Sequence, residues 1–304
     1  MTAQIEHRRV TANGITFHVA SAGPPDGPAV LLVHGFPEGW MSWRPMMERL
    51  PGLRTFAIDT RGYGETDRPR DGYDPFTLTD DLRAVIEALE LDRPVVVGHD
   101  WGAELAWILG HRFSPLIRGL VIVNGTHPQT LLRASLRFEQ LQPLRLAWIP
   151  FFQIPWLPEF LLTTRLGRRA LRFSFRVREG STGEMDSELV DELVSRFRSP
   201  ADLRGPINYY RGFVRTLLSR RGRARLRQTY EVPITAPITV VWGAEDGALP
   251  QGVALQSGRD AQQELDWREL RGIGHFVPIE APDLLAAEIQ RVVDRLLPGE
   301  GGVR

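Results

Sequence analysis

The stretch Val95-Val96-Val97-Gly98-His99-Asp100-Trp101-Gly102-Ala103 constrains the fold more than any other part of the chain. Three β-branched residues lead into a Gly-x-Asp-x-Gly turn, and a helical pattern, Glu104-Leu105-Ala106-Trp107-Ile108-Leu109, follows at once. Strand, sharp turn and helix in that order make a nucleophile elbow, in which the middle residue is pushed out at the top of a sheet. Glycines two before and two after it let strand and helix approach closely enough for the turn to close.

The rest of the chain agrees with an α/β fold. Ile15–Ala20, Pro28–Val33, Arg54–Ile58, Leu120–Val123 and Ile238–Trp242 read as strands, and Thr77–Leu89 and Pro282–Leu297 as amphipathic helices. Alternating strands and helices predict a mostly parallel sheet with helices on both faces. The alternation lapses from about His127 to Gln228, an Arg-rich interval with helical patches and prolines at Pro150, Pro155 and Pro158. The expected organisation is a core made of residues 1–125 and 229–304, with 126–228 inserted as a helical cap over the C-terminal edge of the sheet. Gly299–Arg304 reads as a frayed tail.

Composition narrows the function classes. The formal net charge is zero, which speaks against a nucleic-acid partner. The chain has no cysteine, so disulfides and thiolate metal sites are excluded. Its seven histidines show no His-x-x-x-His spacing, so no metal and no other cofactor is expected. Met1–Val10 is polar, without the apolar region of a signal peptide, and no apolar run nears the roughly 20 residues of a spanning helix. A cytoplasmic enzyme without a membrane partner is the expectation.

The elbow residue sets the chemistry. Serine is usual there; Asp100 replaces it. A serine alkoxide attacking saturated carbon makes an ether, which water does not reopen. A carboxylate makes an ester, which water does reopen. Asp100 therefore points to covalent hydrolysis at a saturated carbon, such as that of an epoxide or an alkyl halide. Being anionic already, Asp100 needs no base. That leaves His275, in Gly272-Ile273-Gly274-His275-Phe276, free to activate the water that opens the ester. Asp246, in Trp242-Gly243-Ala244-Glu245-Asp246, would orient the imidazole, with the adjacent Glu245 as its rival. Nucleophile, acid and histidine fall in the chain order of α/β-hydrolases. His34-Gly35-Phe36-Pro37-Glu38 follows a buried-type strand. An oxyanion hole would take the backbone N–H groups of Phe36 and Trp101, and a cis peptide at Pro37 would aim the former.

Simpler roles stand beside these. Asp100 could merely cap the following helix, as an isolated Asp at such a turn does. Asp59 and Arg61 read as ties for the Gly62-Tyr63-Gly64 loop, and His34 and His99 as structural. His7, His18, His111 and His127 read as surface or packing residues, and Arg220–Arg227 as a solvated helix end.

The segments His34–Glu38, Asp59-Thr60-Arg61-Gly62-Tyr63-Gly64, Gly98–Gly102, Trp242–Asp246 and Gly274-His275-Phe276 together resemble the epoxide hydrolase branch of the α/β-hydrolases. That resemblance implies a small hydrophobic epoxide as substrate, opened to a vicinal diol. It also implies two cap tyrosines that hydrogen-bond the epoxide oxygen. Ile207-Asn208-Tyr209-Tyr210-Arg211 resembles one cap motif, with Tyr210 at the tyrosine position and Tyr209 as its competitor or a packing neighbour. The other is missing: in Trp148-Ile149-Pro150-Phe151-Phe152 the candidate positions hold Trp148 or Phe151. Haloalkane and haloacid dehalogenases share the Asp nucleophile and are the alternative. Trp101 suits both families; Phe36, where haloalkane dehalogenases often carry Asn, and the lack of Arg after the nucleophile, where fluoroacetate dehalogenases have it, favour the epoxide reading. A non-catalytic binding protein on the same fold is the third reading.

Overall fold

Runs of Val, Ile and Leu that are buried on both faces belong in the middle of a parallel sheet. The computed structural model, which describes residues 4–175 and 185–297, puts them there. Eight strands, β1 (Glu6–Ala12), β2 (Ile15–Ala22), β3 (Ala29–Val33), β4 (Arg54–Ile58), β5 (Val95–His99), β6 (Gly119–Val123), β7 (Ile238–Gly243) and β8 (Asp266–Leu270), form one sheet in the order β1-β2-β4-β3-β5-β6-β7-β8. β1, β2 and β4 pair antiparallel; every pairing from β4 to β8 is parallel.

The period of two along each strand splits the core into two layers. Val30, Leu32, Val95, Val97, Val121, Val123 and Val241 face one layer, closed by Leu285, Ile289, Val292 and Val293 of the helix Pro282–Leu296. Leu31, Val33, Val96, Leu120, Ile122, Val240 and Trp242 face the other, closed by the helix Pro75–Ala88 and by Trp101–Phe113, the elbow helix. β1 departs from the sequence expectation. It is an exposed edge strand of Glu, His and Arg with one buried residue, so it carries no hydrophobic alternation; the Asn13-Gly14 turn is its signal.

At the end of β5 the chain turns through Asp100 at φ 49° and ψ −116°, a conformation that costs on the order of 1–3 kcal/mol for a residue with a Cβ. Close packing holds it there. A Cβ on Gly102 would lie 2.0 Å from the Val33 carbonyl oxygen, so only glycine lets the elbow helix start this near the sheet.

Between β6 and β7 the described residues form helices and no strand: Pro128–Leu136, Trp148–Phe152, Leu157–Thr163, Arg165–Ser174, Ser187–Ser195, Pro200–Leu218 and Arg220–Glu231, with shorter turns among them. The long helix Pro200–Leu218 starts at a Ser199/Asp202 capping box. It is fastened to the sheet domain where the Tyr209 hydroxyl donates to the Arg61 carbonyl oxygen at 3.0 Å. Among the described residues no helix is long and apolar enough to cross a membrane. The segment Gly299–Arg304, read above as a tail, lies outside the described residues.

Candidate active site

Three strand ends bring three side chains together above the sheet. Asp100 follows β5, Asp246 follows β7, and His275 sits in the loop after β8. His275 Nδ1 lies 2.7 Å from Asp246 Oδ2, and its Nε2 lies 3.7 Å from Asp100 Oδ2, an ion-pair distance rather than a hydrogen bond. The other Asp100 oxygen, Oδ1, accepts the Phe36 backbone N–H at 2.8 Å. The two carboxylate oxygens are thus differently engaged, one toward a backbone donor and one toward the imidazole. Gly35 makes this possible, since a Cβ there would sit 2.4 Å from Oδ1. The Phe36–Pro37 peptide is cis, as expected. Trp101 opens the elbow helix, so its amide is one of the N–H groups without an intrahelical partner.

Charge follows from these contacts. Burial alone would raise the Asp100 pKa, but the charge of His275, 3.7 Å away, with the Phe36 amide, holds it below the ordinary carboxylate range. Burial alone would lower that of His275; the Asp246 charge outweighs it and, with Asp100, pushes it well above the usual imidazole value. Asp246 is held low in turn, because His275 and two backbone amides offset its desolvation. Of the two adjacent acids it is Asp246, not Glu245, that meets the imidazole. Asn124, at the end of β6, was absent from the expected set. It donates to Asp246 Oδ2 at 2.7 Å and accepts from the Gly243 amide at 2.8 Å.

A buried pair ties the loops to one another. Glu38 Oε2 accepts from the Gly35 amide at 2.7 Å and meets His99 Nδ1 at 2.8 Å, while His99 Nε2 reaches the His275 carbonyl oxygen at 2.8 Å. His34 meets the Thr60 amide, and Asp59 accepts from Trp40 and Glu65, so these residues are loop ties as expected. Burial would raise the Glu38 pKa, but the charge and hydrogen bond of His99 outweigh it and hold Glu38 low. Glu38→Ala should therefore cost about 3–5 kcal/mol, the penalty for stranding one partner of a buried pair. A depressed carboxyl pKa adds stability above its unfolded value, and that stability is lost as pH falls through the folded one. The gap in Tm between wild type and Glu38→Ala should thus narrow on the acid side. A gap of less than about 1 kcal/mol in denaturant unfolding at neutral pH would remove this pair as the loop tie.

Opposite Asp100 stands an aromatic wall. The Tyr210 ring packs edge-on against Trp101 (5.0 Å between centroids), Phe152 (5.0 Å) and Phe36 (5.6 Å). Burial, then the Asp100 charge, push the Tyr210 phenol well above its usual pKa, against hydrogen bonding from Trp101 and Trp148. Trp148 is 37% exposed, at the rim. The Phe151 ring lies 5.8 Å from that of Phe152, and Phe152 is the ring that meets Tyr210 and Phe36. Tyr209, expected as a packing neighbour or a competitor of Tyr210, has its hydroxyl on the Arg61 carbonyl and its ring against Tyr63, Tyr73 and Trp101. Arg211 was also missed as an anchor. It donates to the carbonyls of Phe152 (2.8 Å) and Ile154 (2.7 Å) and pairs with Glu159, which locks the Trp148–Phe152 helix against the helix that bears Tyr210. Among the described residues no group of three or more His, Cys, Asp or Glu is placed to hold a metal ion.

Comparison with known proteins agrees with this architecture. The model of the α/β-hydrolase fold family matches residues 28–282. Human "Epoxide hydrolase 4" is 30% identical over 284 residues, covering 91% of this chain and 75% of the relative. Mouse "Epoxide hydrolase 3" is 32% identical over 287 residues, covering 93% and 75%. The crystal structure of epoxide hydrolase VrEH1 from Vigna radiata superposes with a TM-score of 0.77 at 27% identity, over 96% of this chain and 98% of that one. With the strand order, the elbow and the three converging side chains, these matches assign the chain to the α/β-hydrolase fold and, within it, to the epoxide hydrolase family.

Proposed function

We propose that this chain hydrolyses small hydrophobic epoxides to vicinal diols through a covalent ester on Asp100. Asp100 Oδ2 attacks a ring carbon, the carbon–oxygen bond of the epoxide breaks, and Tyr210 gives its proton to the oxygen that leaves. Once the ester has cancelled the Asp100 charge, His275 releases its resting proton to solvent; the neutral ring then takes a proton from water, and the hydroxide adds to Asp100 Cγ. The charge that develops on Oδ1 is met by the Phe36 and Trp101 amides. Collapse breaks the Cγ–Oδ2 bond, and the diol departs with Oδ2 and a proton from His275. The proton left on the renewed carboxyl returns to Tyr210 through solvent. Asp246 orients the imidazole and balances its charge. The helices between β6 and β7 serve as the cap, with Phe36, Phe152 and Trp148 as apolar lining and Phe151 behind them. No step calls for a cofactor.

The observation that carries this reading is the split engagement of Asp100, with Oδ1 on the Phe36 amide and Oδ2 facing His275. Such a split suits ester formation by one oxygen and oxyanion stabilisation at the other. The test is conversion of styrene oxide to its diol. Tyr210→Phe should slow the alkylation step by on the order of 10²–10⁴-fold, the worth of a positioned general acid. Alkylation measured by chemical quench in a single turnover reads this directly, and an unchanged rate would take Tyr210 out of the mechanism. One observation favours dehalogenation as a second activity: Trp101, next to the nucleophile and packed against Tyr210, carries an indole N–H that suits a departing halide, which needs no proton.

A further inference from the structure

The helix Pro200–Leu218 carries Tyr210 on one face, against Trp101, and a row of polar side chains on another. Arg204, Asn208, Arg211 and Arg215 are spaced four, three and four residues apart, so they follow one another along that second face. They line a cavity of about 470 Å³, which Pro155, Trp156 and Glu159, just past the Trp148–Phe152 helix, line as well. A cavity of this size takes a small organic molecule. None of these residues has a part in the proposed mechanism.

Pairing is uneven in this cavity. Arg211 is committed: its Nη2 meets Glu159 Oε2 at 3.0 Å, and it donates to the Phe152 and Ile154 carbonyls. The guanidinium groups of Arg204 and Arg215 have no hydrogen-bond or ion-pair partner among the described residues. Asn208 is only 9% exposed, and its one side-chain hydrogen bond is accepted by Oδ1 from Arg211, at 3.4 Å. Its Nδ2 has no partner among the described residues, yet it is not sealed in protein, so it opens on the cavity. Native proteins pair nearly all their buried polar groups, and an unpaired donor calls for a reason. Two free cations and a free amide offer donors only, and the partner that answers them is an anion. Trp156, 72% exposed, adds a flat aromatic face beside them.

We propose that this cavity binds an organic phosphate, with the phosphate on Arg204, Arg215 and the Asn208 amide and the organic part against Trp156 and Pro155. Three arginines and one glutamate leave the lining with two net positive charges. A phosphate monoester, close to a dianion at neutral pH, balances both. A carboxylate balances one and leaves the second guanidinium unanswered. Guanidinium forks also match phosphate oxygens two at a time. A soluble phosphate ester and the headgroup of a phospholipid share this chemistry. The site stands apart from the epoxide reading but adjoins its machinery. Arg211 fixes the Phe152 carbonyl from this side, so an occupant packs behind the wall that Phe152 and Tyr210 form.

The test is calorimetric titration of the whole chain with phenyl phosphate, inorganic phosphate and benzoate at fixed ionic strength, beside flotation with phosphatidylcholine vesicles that contain phosphatidic acid. Phenyl phosphate should bind one to one, more tightly than inorganic phosphate or benzoate. Arg204→Ala and Arg215→Ala together should weaken it by about tenfold or more, since both hydrogen bonds removed are charged. Asn208→Leu should weaken it by about fivefold, the worth of one hydrogen bond. Trp156→Ala should bring phenyl phosphate to the affinity of inorganic phosphate. Both arginines are exposed, so their replacement keeps the test alive if the Asn208 variant fails to fold. Arg271→Ala, an exposed arginine outside the lining, should leave binding within about twofold. Phenyl phosphate binding without flotation supports a soluble ester as the ligand. Flotation that the double arginine variant loses, without binding of phenyl phosphate, supports the phosphate site and gives its source as a lipid. Benzoate bound as tightly as phenyl phosphate overturns the phosphate assignment. Affinity that survives the double arginine substitution, or that falls as far in Arg271→Ala, overturns the site. A protein that takes neither phenyl phosphate nor the vesicles overturns it too.

Discussion

Asp100→Ala should abolish diol formation, with a fall in kcat/KM on the order of 10⁴–10⁶-fold, the range seen when the nucleophile of a covalent mechanism is removed. The loss is so large because the rest of the site is built around this carboxylate. The Phe36 amide meets Oδ1, His275 stands 3.7 Å from Oδ2, and the backbone is held at φ 49° to present it. Alanine leaves the donors aimed at nothing. A single turnover in heavy-oxygen water adds a sharper readout. In the proposed mechanism collapse of the tetrahedral intermediate breaks Cγ–Oδ2, so the diol of the first turnover should carry an oxygen from the protein while the solvent oxygen stays on Asp100. Mass analysis of the Asp100 peptide after one turnover should show the label there and not in the diol. Label in the first diol, with Asp100 unlabelled, would mean that water attacks the epoxide directly and that Asp100 acts as a base.

The parts of this protein that can be read from the sequence are those where one physical demand acts alone. β3, β5, β6 and β7 are legible because burial on both faces admits only apolar, mostly branched residues. The elbow is legible because its glycines answer a steric demand. β1 is not, because an edge strand has no such filter on its exposed side. Choices between neighbours are harder. Tyr209 and Tyr210 differ by about 100° around one helix, and that angle alone sends one hydroxyl to Arg61 and the other ring toward Asp100. The cap motif points to Tyr210, whose ring packs against Trp101. In the helix Trp148–Phe152, with five residues, no periodicity fixes the phase, so the pattern does not single out Phe152 as the ring that packs on Tyr210. Asn124, Glu38 and Arg211 act through partners more than fifty residues away in the chain, and no local pattern announces such pairings.

His275→Gln should stall the reaction with the ester intact, because the first half of the mechanism needs a carboxylate and the second needs a base. In the resting site burial would lower the His275 pKa, but the charges of Asp246 and Asp100 hold the imidazole protonated. Ester formation cancels the Asp100 charge. One of the two anions that keep the proton on His275 is then gone, so alkylation itself lets the imidazole release that proton to solvent, and the neutral ring can then accept one from water. Glutamine cannot make that exchange. It keeps a polar side chain of similar length, and Asp100 retains the Phe36 amide, so alkylation should continue at mildly alkaline pH. Hydrolysis should slow by about 10²–10⁴-fold, the contribution of a general base, and the ester should accumulate. Intact mass after mixing with styrene oxide should rise by the whole mass of the epoxide, on the peptide that contains Asp100. A bromoalkane in place of the epoxide separates the two chemistries, since a dehalogenase would gain the alkyl group and release bromide. An epoxide adduct without an alkyl adduct supports hydrolysis of epoxides alone, and both adducts together would show that the indoles of Trp101 and Trp148 also serve a departing halide. A folded His275→Gln protein that forms neither adduct would rule out a covalent ester on Asp100.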